Sequence, residues 1–218
     1  MRQFDFYEFT GVIAPGAVSL FGIAILFPEL GKRLQGQDFT VGSFGLFVLL
    51  AYVAGHLVQA LGNAVEWAWW KPWGGMPTDW VRTGKHALLG DAQRAQLGSR
   101  LQAMLALQRG EDPFAFGQKA WGGVVRQAYA AVHAAKRSGR VETFNGNYGL
   151  NRGIAASLFA LAILTVASRG RDAWLPVLLL AMGGCVAVYR MHRFAKHYGR
   201  ELFAQYLALF GAGSIGKD

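Results

Sequence analysis

The chain has 218 residues, 53% of them hydrophobic and only 16% charged, where an ordinary soluble domain carries about 25% charged residues. Twenty-two Lys and Arg against 13 Asp and Glu give a net charge of +9. Low charge and long apolar runs point to an integral membrane protein, and the single cysteine, Cys185, excludes an intrachain disulfide and a multi-cysteine metal site.

The first nine residues, MRQFDFYEF, carry two acids and no basic cluster. They lack the pattern of a secretory signal, and Phe4, Phe6, Tyr7 and Phe9 suit a segment lying at headgroup level. The first apolar run, about Thr10 to Phe27, is read as a retained membrane span. Gly16, Ser19 and Gly22 give it a small-residue face for close helix contact. ELGKRLQGQD, residues 29–38, reads as a polar loop.

A second span is expected from about Phe39 to Asn63. Its lower half carries Tyr52, His56, Gln59, Asn63 and Glu66, spaced four, three, four and three residues apart. On a helix all five share one face. A polar stripe in an apolar helix is costly against lipid, so it should face protein or a water-filled path. Two readings stay open: a polar path for ions or protons gated by histidine, and hydrogen-bonded glue between helices. Trp67, Trp69, Trp70 and Trp73 follow, as expected of side chains that anchor at the membrane interface.

Residues 67–147 differ in composition. Leu88, Leu97, Leu101, Met104, Leu105 and Leu107 recur at helical spacing, predicting an amphipathic helix over about Val81 to Gln108, with a break possible near Gly90. Asp112-Pro113 is a good helix start. The next helix is expected to run to about Arg137, with Phe116, Trp121, Val124, Val125, Ala128 and Val132 facing inward. Together these make a helical hairpin. Spans three and four are expected at about Leu150–Ser168 and Ala173–Tyr189, joined by a tight turn at residues 169–172. A basic amphipathic tail follows from Arg190, with Arg190, Arg193, Lys196 and Arg200 as headgroup anchors and a phosphate clamp as the rarer alternative. His192 and His197 are about 140° apart on a helix and do not make a metal pair.

The fold class expected is an all-α integral membrane protein. It has a first transmembrane hairpin (1–66), a cytoplasmic helical hairpin (67–147), a second transmembrane hairpin (148–189) and a tail (190–218). Charge sets its orientation. Eighteen bases fall on the side holding both termini and the middle segment, and only Lys32, Arg33, Arg169 and Arg171 on the other. The positive-inside rule puts the basic side in the cytoplasm. Anionic lipid headgroups are the expected partner of that surface, ahead of nucleic acid. Arg152, at the mouth of span three, lies at the depth expected for Glu66, so the two could form an ion pair. The alternative is that Arg152 reaches water alone. No catalytic, metal-ligand or phosphate-loop motif is present, and no cofactor is expected.

GHLVQALGNAVE (55–66) and NGNYGLNRGIAASL (145–158) resemble a type of small four-span bacterial inner-membrane protein with a cytoplasmic helical insertion. The resemblance implies a multi-pass inner-membrane location with both termini cytoplasmic. Some proteins of this general build act as membrane effectors in antiviral defence. Two functions are carried forward: a homo-oligomeric effector or pore answering a cytoplasmic partner, and a non-conducting anchor or scaffold that recruits one. A transporter or enzyme subunit is weaker, since four spans without repeats argue against an autonomous transporter.

Overall fold

The computed structural model describes residues 8–35, 41–108 and 111–211. The expected interfacial aromatics Phe4, Phe6 and Tyr7, the span start at Phe39 and the terminal run 212–218 lie outside the described residues. Every described element is helical. A π-helical turn, Glu8–Ile13, leads into α1 (Ala14–Leu26), followed by α2 (Pro28–Gln35), α3 (Val41–Trp70), α4 (Pro77–Thr83), α5 (Asp91–Met104), α6 (Gln118–Ala134), α7 (Gly139–Arg169) and α8 (Trp174–Gly211).

Two stretches are long and apolar enough to cross a membrane, Gly42–Trp70 and Gly139–Gly211; the apolar helix Gly11–Leu26 is shorter. The second stretch comprises α7 and α8, joined by a 3-10 turn over Gly170–Ala173 in which Gly170 takes a φ of 65°. By length and composition the structure therefore has two such stretches where four spans are expected. The expected loop at 29–38 begins instead as α2. Pro28 opens it and Glu29 sits in its first turn, a favourable place for an acid.

The described chain divides into two compact units. The first comprises residues 1–69 and 145–193. Its helices approach through small residues. A Cβ on Gly16 would overlap the Ala51 carbonyl, and one on Gly55 would overlap the Val12 carbonyl. Ser19 donates to Ser157 Oγ at 3.0 Å, and the Ser157 hydroxyl also lies 3.0 Å from the carbonyls of Pro15 and Gly153. Its outer surface is apolar: Phe21, Ile25, Leu49, Val53, Leu57, Ile163, Leu179 and Val186 are all more than half exposed. Cys185 is exposed on α8 as well.

The second unit comprises residues 70–144 and 194–218. Its interior is a conventional apolar core of Leu97, Leu101, Trp121, Val132, Val141, Leu202, Phe203 and Tyr206, each at most 1% exposed. The expected two-helix hairpin is in fact three helices with 3-10 turns between them. The helix expected over Val81–Gln108 is broken, because Gly84 ends α4 in the left-handed region (φ 70°). Arg94 then caps that end, donating to the carbonyls of Val81 and Arg82 at 3.0 Å each. Asp112 caps only a short 3-10 turn, through Phe114 N at 2.9 Å, and α6 starts at Gln118.

Candidate functional site

The site lies in the first unit, where α3 and α7 place the expected polar residues. The five-residue stripe does not act as one face. Tyr52, Gln59 and Glu66 form one row at heptad spacing. His56 and Asn63 form a second row, about 40° round the helix. Gln59 and Glu66 are half-buried, whereas Tyr52, His56 and Asn63 are exposed.

Arg152 closes the inward row. Its Nη1 donates to Glu66 Oε2, and its Nη2 donates to Gln59 Oε1 at 2.6 Å. The Gln59 amide nitrogen in turn donates to the Gly11 carbonyl and reaches the Gly149 carbonyl at 3.5 Å. Side-chain exposures of 15% for Arg152 and 24% for Glu66 put the ion pair mostly out of solvent. Gly62 makes room for it, since a Cβ there would lie 3.2 Å from Arg152 Cγ. The Tyr148 ring stands 6.0 Å from the guanidinium carbon, within cation–π range. Arg152 Nε is buried with no hydrogen-bond partner among the described residues. One guanidinium thus satisfies a carboxylate and an amide oxygen at once, as its planar fork allows. Breaking such a pair by removing one partner typically costs about 3–5 kcal/mol, because a charge is left buried alone.

The rest of the asparagine-rich entry to α7 is engaged nearby. Asn151 donates to the Asn147 carbonyl at 2.7 Å, and its Oδ1 accepts from Arg190 Nε at 3.2 Å. Arg190, expected to meet headgroups, is thereby bonded within the first unit. Trp69 donates its indole N–H to His192 Nδ1 at 3.2 Å, ring against ring at 89°. Helical spacing does not foretell this contact. Its only signal is that a tryptophan ending one apolar helix and a histidine leaving another stand at similar depth.

The outward row is different. His56 meets the Tyr52 ring edge-on at 4.6 Å. Among the described residues, neither His56 nor Asn63 makes a side-chain hydrogen bond. The continuous polar face expected from the spacing is therefore corrected to an inward cluster and an outward pair.

The expected interfacial anchors divide too. Trp67 is 66% exposed, but Trp70 is 4% exposed. Trp70 and Trp73 pack on Trp80 within the second unit, with ring centroids 5.9 and 6.2 Å away. Trp80 fixes that turn by donating to the carbonyls of Trp73 (3.2 Å) and Gly75 (3.0 Å). Arg200 donates to the Leu88 carbonyl at 3.3 Å, Lys196 is half-buried, and Arg193 is exposed. Of the proposed anchors, Trp67, Arg190, Arg193 and Arg200 keep the exposure that role needs. Also in the second unit, His86 lies 4.5 Å from Trp80, and His133 Nδ1 lies 3.2 Å from Glu142 Oε1.

Two carboxylates of the second unit are shifted. Burial is the main cause holding the Asp79 carboxyl above its ordinary range, against the Met76 N–H at 3.0 Å. Hydrogen bonding, first to Ser138 and then to Tyr129 and His133, holds Glu142 below its range. Among the described residues no three His, Cys, Asp or Glu side chains gather as a metal site. No protein family matches the chain, and neither a characterised protein nor a solved structure is similar to it.

Proposed function

We propose that the chain is a four-span membrane anchor that displays a folded helical unit in the cytoplasm and does not itself conduct ions. The spans are the Gly11–Leu26 helix, α3, and the parts of α7 and α8 that belong to the first unit, about residues 150–168 and 173–189. The apolar exterior of the first unit supports placing it in lipid. The excess of bases in residues 71–152 and from Arg190 onward supports a cytoplasmic side for both termini and for the second unit. The resemblance in residues 55–66 and 145–158 favours a bacterial inner membrane.

The observation that carries the non-conducting reading is closure of the Gln59–Glu66–Arg152 cluster. Gln59 and Glu66, the inward groups of the expected path, are both taken up by Arg152, and residues 42–51 of α3 hold no ionisable side chain. The cluster acts as a clamp between helices. The second unit, with exposed Lys119, Arg126 and Lys136, is the part available to anionic headgroups and to a cytoplasmic protein partner.

One observation favours a second reading. His56 and Asn63 are polar and exposed on an apolar helix, so several copies could line a path or form the membrane-disturbing assembly of an antiviral effector. Ion flux through liposomes separates the two readings. The anchor reading expects no flux from reconstituted wild type, with or without cytoplasmic extract. Flux in the wild type that His56→Leu or Glu66→Gln abolishes overturns it in favour of the pore-type effector.

A further inference from the structure

The outward row of α3 carries two polar side chains with no hydrogen-bond partner among the described residues. His56 and Asn63 are both exposed, seven residues or about 10 Å apart along the axis. Their neighbours on the surface are Leu49, Val53, Leu57 and Leu61, each at least half exposed. Neither side chain makes a hydrogen bond among the described residues. His56 lies ten residues from Glu66, about 15 Å along the helix, too deep for a short side chain to reach the headgroups. A bilayer offers no hydrogen-bond partner at that depth, so a protein must supply one.

We infer that this face of α3 is the contact between two copies of the chain, with Asn63 and His56 paired across a two-fold axis. Copies inserted with one topology share a direction through the bilayer. A two-fold contact between them has its axis along the membrane normal, and each residue near that axis meets its own equivalent. This requires side chains that can pair with themselves. An amide and a neutral imidazole both qualify, since each holds a donor and an acceptor. Charge makes the same selection. Glu66 and Arg152, which would repel or mismatch their own copies, are turned inward and paired with each other. Between the two polar residues lies Ala60, exposed and small enough for the backbones to approach. The Tyr52 ring, edge-on to His56 at 4.6 Å, holds the imidazole in place.

The inference rests on the reading of α3 as a span, and the experiment keeps the two apart. Full-length protein is expressed in a Cys185→Ser background with single cysteines placed at Ala60, Leu49 or Leu61. Membranes are washed with alkaline carbonate and then oxidised. The expected result is a disulfide-linked dimer with Ala60→Cys and Leu49→Cys, which lie within about 40° of His56 round the helix, and little with Leu61→Cys, about 140° from it. Self-association of the reconstituted protein is then measured by energy transfer. His56→Leu combined with Asn63→Leu weakens it by roughly tenfold or more, whereas Asn63→Gln, which keeps an amide, stays close to wild type. Both leucine substitutions suit lipid, so they do not endanger insertion. Release of the protein by carbonate overturns the span reading and this inference with it. Carbonate-resistant protein that is monomeric, whose cysteines link only to a different protein, or whose association ignores the leucine pair overturns the two-fold contact alone.

Discussion

The two units use opposite rules to stay folded. The second unit buries aromatic and aliphatic side chains, with Trp80, Trp121, Phe203 and Tyr206 almost fully covered. The first unit shows its large apolar side chains outward and holds its helices together with glycines, serines and the Glu66–Arg152 ion pair. The first arrangement depends on water to drive burial. The second needs none, because close backbone contact and satisfied polar groups work in an apolar solvent. The same chain therefore carries a water-type core and a lipid-type core, and substitutions should sort by which one they touch.

The largest contrast is expected from large-to-small changes. Trp121→Ala should destabilise the second unit by about 3–5 kcal/mol in denaturant unfolding, also freeing the Thr78 carbonyl that the indole N–H meets at 2.9 Å. Leu57→Ala, at a side chain 68% exposed in the first unit, should change unfolding in micelles by less than about 0.5 kcal/mol. Equal costs would break the comparison.

Next comes the clamp. Arg152→Gln alone should cost the first unit about 3 kcal/mol or more, because Glu66 loses its counter-charge, whereas Glu66→Leu with Arg152→Met should recover much of that loss. Thermal unfolding in lipid nanodiscs reads both. Gly16→Val should cost about 1–3 kcal/mol by forcing apart the backbones of α1 and α3. The same assay checks it beside Gly45→Val, where a Cβ meets nothing within 4 Å.

The smallest effects are pH-dependent and lie in the second unit. Asp79 has a raised folded-state pKa, so its contribution is full below the ordinary aspartate range and is lost as pH rises through the raised value. Glu142 has a lowered one, so its contribution is present above the ordinary glutamate range and is lost as pH falls through the lowered value. Asp79→Asn and Glu142→Gln should therefore tilt the stability–pH curve in opposite directions, as urea midpoints across acid pH would show.

Much of this contrast is legible from sequence, because hydropathy and periodicity report what a side chain wants to face. The inward positions Trp121, Val124, Ala128 and Val132 follow from helical spacing and are buried. Glu66 and Arg152 follow from their distance to the ends of apolar runs, and the two side chains meet. What spacing does not carry is the direction of the neighbouring helix. Four-and-three spacing places Gln59 and His56 on one broad face, and only the position of α7 decides that one turns in and the other out. The break at Gly84 is hidden for a similar reason. Apolar residues continue at helical spacing across it, Val81 before and Leu88 seven residues later, while the capping guanidinium comes from Arg94, ten residues on. Trp70 shows two preferences in competition, since an indole suits both a membrane interface and an aromatic core.

A double-mutant cycle on protein reconstituted in bilayers tests the split stripe most directly. Glu66→Gln, Arg152→Gln and the double mutant are compared with His56→Leu, Arg152→Gln and their double. The account predicts a coupling above about 1 kcal/mol for Glu66 with Arg152 and essentially none for His56 with Arg152. Additive effects in the first cycle, or strong coupling in the second, would contradict it.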